Sequence, residues 1–255
     1  MIIDNHCCVF PSKHKSIELK LESENKKNKM PKDEIILSFN DSVIRRSDLK
    51  LLIGPHWLND RIISFFFEYL YDKEFDQTDK LVFISPEVSQ FLKMAHKEEL
   101  SIFLEPLQLE HKELIVLAVN NSDDPERPGG SHWSLLMFSM QAKEFFHFDS
   151  SSGLNKEAAK QLAFRTHSYL QSKLGDNFSF RIKEVPVLQQ GNGYDCGVHL
   201  LCNAQHATRH LLIYGSDEGL RTINDEVVKK KRSELKELII SLSGTDEEGP
   251  SSQDR

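Results

Sequence analysis

Two runs in the middle of the chain, "HWSLLMFSM" at residues 132–140 and "EFFHFDS" at 144–150, are separated only by "QAK". Apolar and aromatic runs so closely joined read as a hairpin or meander. "ELIVLAVN" at 113–120 reads as a central strand, "LVFIS" at 81–85 as a short buried strand and "FSFRIKEV" at 178–185 as a further one. Helical patterns lie around them: "LNDRIISFFFEYLYDKEF", "PEVSQFLKMA", "LNKEAAKQLAFRTHSYLQSKL", "CGVHLLCNAQHATRHLLIY" and "INDEVVKKKRSELKELIISL". Pro86 opens the second of these, where a first helical turn tolerates it. Strand runs held between helical ends favour an α+β domain with a central mixed sheet flanked by helices.

At 255 residues the chain can bury a full core. Residues 1–34 alternate Lys, Glu, Ser and Asn, and residues 243–255 are acidic and rich in Gly, Pro and Ser. Both ends are expected to be disordered, around one domain at 35–242. The "KKNK" cluster has the form of a weak nuclear-import signal, but a solvated lysine patch is the simpler reading. No window approaches the run of about 18 apolar residues that a membrane span needs. "MIIDNHCCVF" carries Asp4 and lacks the apolar core of a signal peptide. A soluble chain in the cytoplasm or nucleus is therefore expected, with its four cysteines reduced. The net charge of −7, from 32 basic and 39 acidic residues, argues against nucleic acid as a partner and suits a basic one.

Three short pieces carry chemistry. "GGSHWSLL" puts His132 at the start of one β-rich run, "FFHFDSSSG" puts Asp149 at the end of the next, and "QQGNGYDCGV" puts Cys196 at the mouth of a helix. Neighbouring strands would bring His132 and Asp149 to one end of the sheet. A first helical turn offers unpaired N–H groups and a partial positive charge, which favour thiolate over thiol. Gly197 is expected to leave room beside the thiol for a substrate backbone. An imidazole within reach completes the activation, and a carboxylate on its far nitrogen holds tautomer and orientation. Cys202, inside the apolar part of the same helix, reads as a small core hydrophobe. An attacked carbonyl also needs donors for its developing oxyanion. Gln190, six residues before Cys196, and its neighbour Gln189 are both in position by spacing, with the Cys196 backbone N–H as the second donor.

His199, His206 and His210 invite a zinc reading, since His206 and His210 share a helix face at i, i+4, yet no glutamate follows His206 in the H-E-x-x-H manner and no third ligand is obvious. "HCC" at residues 6–8 lacks two further ligands and reads as an oxidisable tail. No phosphate-binding glycine loop is present in the sequence. Neither a metal nor a cofactor is expected.

The order His-Trp, Asp-Ser, Gln-x5-Cys-Gly, with 17 residues from His132 to Asp149 and 47 from there to Cys196, resembles the sentrin/SUMO-specific (ubiquitin-like) cysteine protease family. "ILSFNDSVIRRSDLKLLIGPHWLNDRIISFFFEYL", "FISPEVSQFLK", "FLEPLQL" and "KKKRSELKELI" resemble its deneddylase branch, so the likeness covers roughly 35–242. The resemblance implies a papain-like fold with the triad in permuted order, His132, Asp149, Cys196, and prefers Gln190 over Gln189 for the oxyanion. It implies that Trp57 and Trp133 clamp the Gly-Gly tail of a ubiquitin-like modifier, and it makes Asp60 a partner for an arginine in that tail. The implied partners are the neddylation modifier, with SUMO as the alternative, and conjugates such as cullins. The implied enzyme is a monomer that cuts after the modifier's terminal glycine. A silent modifier-binding module and an acyltransferase on the same scaffold are the readings of another class.

Overall fold

The computed structural model describes residues 33–124, 129–175 and 178–244. Strands β1 (Ile35–Phe39) and β2 (Ser42–Arg45) pair antiparallel through Asn40 and Asp41, with Asn40 at a left-handed φ of 47°. Asparagine tolerates that conformation better than most residues. Helix α1 (Arg46–Leu51) follows, then α2 (Asp60–Tyr69), which starts where the Asn59 side chain accepts the Ile62 N–H and ends in a wide turn at Leu70–Glu74. Strand β3 (Leu81–Ile84) runs into α3 (Pro86–Met94), capped by Ser85 with proline in its first turn as expected. Helix α4 (Lys97–Leu104) leads to strands β4 (Leu114–Asn120), β5 (Trp133–Ser139) and β6 (Glu144–Phe148). Helix α5 (Lys156–Leu174), strand β7 (Ile182–Glu184), helix α6 (Cys196–Tyr214) and helix α7 (Asp225–Ser243) complete the order.

Five strands form a sheet in the order β3-β4-β5-β6-β7, parallel at its two outer pairs and antiparallel at its two inner ones. It is the mixed sheet the sequence predicts, with β5 and β6 as the hairpin. Both faces are covered, which is why β4 reads as a continuous apolar run. Leu114, Val116 and Ala118 of β4, with Leu135 and Met137 of β5, face one core shared with α2, α6 and α7. Ile115, Leu117, Val119, Leu136 and Phe138 face the other, shared with α3, α4 and α5.

Two boundaries differ from the sequence reading. Only Ile182–Glu184 of "FSFRIKEV" pairs as a strand, because pairing with β6 ends after three residues. Helix α7 runs to Ser243 and stops at Gly244, whose φ of 67° suits glycine, so the domain edge read at 242 falls inside the helix. Residues 1–32 and 245–255, on which the disorder expected for the two ends chiefly rests, lie outside the described residues, as do "KKNK" and "HCC". No helix among the described residues is long and apolar enough to cross a membrane.

Candidate active site

Leu135 lies opposite Phe148, and Leu136 opposite His147, in the β5–β6 hairpin. The residue just before β5 and the residue just after β6 therefore emerge at the same end of the sheet. They are His132 and Asp149, and His132 Nε2 meets Asp149 Oδ1 at 2.6 Å with both side chains buried. Helix α6 packs across β5 and β4, and its first residue, Cys196, is brought to that same end. Cys196 sits beside the same imidazole on the cleft wall and favours its charged form. With Nε2 on the carboxylate, Nδ1 is the nitrogen left for the thiol.

Burial works against charge on the imidazole, but hydrogen bonds and charge from Asp149 and Cys196 outweigh it and raise the His132 pKa to about 9. Burial likewise pushes the Asp149 carboxyl up, while His132 and the backbone N–H groups of Ser151 and Asn155 win and hold it below its ordinary value. Asp149 thus orients His132 and caps the turn after β6, through Ser151 N at 3.0 Å and Asn155 N at 3.1 Å. Cys202 is different: burial pushes its thiol up to about 12, as befits a core residue.

The two glutamines separate by hydrogen-bond count. Gln189 spends its amide nitrogen on the carbonyls of Asp149 and Val187, and its oxygen accepts from the N–H and hydroxyl of Ser152. Both its hydrogens are committed to the loop. Gln190 is anchored through its oxygen by the Ser150 hydroxyl at 2.8 Å and gives one hydrogen to the Asn192 carbonyl. Its second amide hydrogen has no acceptor among the described residues.

A cleft of about 480 Å³ opens over Cys196 and His132, and Trp57, Leu58, Asp60 and Trp133 line it. Trp57 is half exposed and donates its indole N–H to the Gly193 carbonyl, while Trp133, half-buried, donates to Leu58. Asp60 stands at the start of α2, partly exposed, with Oδ1 accepting the Arg61 N–H. A larger cleft of about 780 Å³, bordered by Val43, Tyr71 and Phe83, contains none of these groups. The room expected beside Gly197 is already taken. A Cβ there would lie 2.9 Å from Leu58 Cβ, so the glycine lets α6 pack against the 57–60 segment rather than admitting substrate.

Several supporting residues carry no signal in the sequence. Asn121 Oδ1 accepts the backbone N–H of Ser131 and of His132. Asn155, fully buried, donates to the carbonyls of Val119 and His132. Arg232 on α7 holds Asp195 and three backbone carbonyls around the Cys196 loop. Only Asn192 had a local cue, the Asn-Gly turn pair: its Oδ1 accepts the N–H groups of Tyr194 and Asp195. His206 and His210 each bond a backbone carbonyl, of Arg221 and Glu218, and no metal-binding cluster occurs among the described residues.

A thiol beside a carboxylate-backed imidazole, opening onto a cleft at the end of an α+β sheet, is the arrangement of a cysteine protease. Residues 56–244 match the Ulp1 protease family, C-terminal catalytic domain, and the chain belongs to that family. Sentrin-specific protease 8 of Rattus norvegicus is 41% identical over 213 residues, covering 83% of this chain and 96% of that protein. NEDD8-specific protease 1 of Arabidopsis thaliana is 42% identical over 219 residues, covering 82% of this chain and 92% of that protein. The Ulp1 protease domain solved in complex with Smt3, the yeast ortholog of SUMO, shares the fold with a TM-score of 0.63 at 21% identity, over 89% of this chain and 96% of that one.

Proposed function

We propose that this chain is a thiol isopeptidase that cleaves after the C-terminal Gly-Gly of NEDD8. The observation that carries the chemistry is the buried His132–Asp149 pair with Cys196 beside it at the mouth of a cleft. The choice of NEDD8 is supported by NEDD8-specific protease 1 of Arabidopsis thaliana, 42% identical over 92% of its length.

His132 takes the thiol proton, and Cys196 sulfur bonds to the glycine carbonyl carbon. The oxyanion is held by the backbone N–H of Cys196 and the spare amide hydrogen of Gln190. His132 then gives its proton to the leaving amine as the C–N bond breaks, leaving a thioester. Water, deprotonated by His132, attacks that thioester and returns the thiol. Asp149 keeps Nδ1 of His132 turned to the sulfur throughout.

Trp57 and Trp133 wall the slot for the modifier's tail, which only glycine, without a Cβ, threads. Asp60 on the cleft wall receives an arginine of that tail. The leaving amine is a lysine side chain of a conjugate such as a cullin, or a C-terminal extension of the precursor. All three reacting groups come from one chain, which supports a monomer, and a free thiol nucleophile suits a cytoplasmic or nuclear setting.

Cys196→Ala is expected to abolish release of a fluorogenic amide from the NEDD8 C-terminus while NEDD8 still binds. Turnover that survives the substitution sinks the assignment; turnover of the SUMO amide alone moves the chemistry to the other modifier.

A further inference from the structure

Behind the His132–Asp149 pair runs a second line of polar side chains, buried in the face of the sheet under α5. Asn155 Nδ2 lies 2.9 Å from Ser134 Oγ, which lies 2.8 Å from His147 Nε2, and His147 Nδ1 lies 2.8 Å from Glu184 Oε2. Asn155, Ser134 and His147 are all buried, whereas the Glu184 side chain is 47% exposed.

The directions of the bonds in this line are set from its two ends, the Asn155 amide and the Glu184 carboxylate. The carbonyl oxygens of Val119 and His132, at 3.0 and 3.3 Å from the Asn155 amide, can only accept, so the nitrogen of that amide must face them. The same nitrogen reaches Ser134 by sharing one of its two hydrogens. At the other end the Glu184 carboxylate can only accept, so His147 carries its proton on Nδ1 and donates it there. Its bare Nε2 takes the Ser134 hydroxyl hydrogen. A turned amide would set oxygen against two carbonyl oxygens and leave Ser134 without its donor.

The residue types match a Ser-His-Glu nucleophile set, but Ser134 is 1% exposed, and both its partners are already made. No substrate reaches it. What the line does touch is the reacting pair: the Asn155 side chain holds the His132 carbonyl and its backbone N–H holds Asp149 Oδ2 at 3.1 Å.

We propose that Asn155 is a positioning residue for His132 and Asp149, and that Ser134, His147 and Glu184 lock its amide in the one orientation that serves them. This inference rests on the reading of Cys196, His132 and Asp149 as the reacting groups.

The test compares kcat and KM on the fluorogenic NEDD8 amide, with the SUMO amide in parallel, for the wild type, Ser134→Ala, Glu184→Ala and the double variant. Active sites are counted by titration with the modifier electrophile, so that loss of folded enzyme does not enter kcat. Ser134→Ala is expected to lower kcat about tenfold with KM within about twofold, because misplacement of a base costs rate rather than binding. Glu184→Ala is expected to lower kcat several-fold, and the double variant to be no worse than Ser134→Ala, since both act through one line. A kcat within about twofold of wild type in both single variants, or losses that multiply in the double, overturns the proposal. If Ser134→Ala does not fold, the half-exposed Glu184→Ala decides alone. Turnover that survives Cys196→Ala removes the triad reading itself; dependence on Cys196 with both single variants undisturbed removes only this inference.

Discussion

Arg232, on the last helix, grips the carboxylate of Asp195, the residue immediately before Cys196. Its Nε and Nη2 both reach Asp195 Oδ1, at 2.9 and 2.7 Å. Nη1 and Nη2 also cap the carbonyls of Leu51 and His56, and the guanidinium lies over the Tyr194 ring. One planar fork thus joins the C-terminal helix, the segment leading to Trp57 and the loop that carries the thiol. Removing it strands a carboxylate with 20% side-chain exposure and several carbonyls.

Arg232→Met is therefore expected to cost about 2–4 kcal/mol, a fall in Tm of roughly 5–10 °C. Arg232→Lys is expected to recover little, because one ammonium cannot span the four acceptors, Asp195 Oδ1 and the carbonyls of Leu51, His56 and Tyr194. Thermal unfolding checks this. An unchanged Tm in Arg232→Met contradicts it.

The glutamines make a paired prediction. Gln190→Ala is expected to lower kcat on the order of 100-fold with little change in KM, the usual consequence of removing one oxyanion donor. Gln189→Ala loses contacts to Asp149, Val187 and Ser152, and is expected to lower stability by about 1 kcal/mol with a much smaller effect on kcat. Steady-state kinetics on the modifier amide decide between them, and the reverse pattern would move the oxyanion role to Gln189.

The His132 pair ties stability to pH. With its pKa raised from 6.5 to about 9, the folded chain holds a proton that the unfolded chain has released between those values. The pair's stabilisation is full below pH 6.5 and is lost as pH rises through about 9. The Asp149 contribution is present above its ordinary value of 3.8 and is lost as pH falls through the lower folded value. Denaturant unfolding of wild type, taken relative to His132→Ala, is expected to show the advantage shrinking from about pH 6.5 to about pH 9.5. A difference that stays flat across that window contradicts the linkage.

The parts of the molecule legible in sequence were those written locally. The β5–β6 hairpin, the buried β4 and the helix from Cys196 to Tyr214 each carry their own apolar pattern, and the hairpin alone places His132 and Asp149 together. The β1–β2 hairpin lies outside the expected strands, although Asn40-Asp41 is a turn cue. The strand expected over 178–185 shortens to β7, because Phe178 and Phe180 pack against His167 and Phe145 without pairing in the sheet. Arg232, Asn155 and the Leu58 contact of Gly197 bridge distant parts of the chain, and nothing near any of them announces its partner.

The most direct measurement mixes the protein with NEDD8, SUMO and ubiquitin, each carrying a thiol-reactive electrophile at its C-terminal glycine, and maps the adduct by mass spectrometry. A single adduct with NEDD8 is expected, on Cys196 and not on Cys202, whose buried thiol stays protonated at neutral pH. An adduct on any other residue, or none with any of the three modifiers, contradicts it.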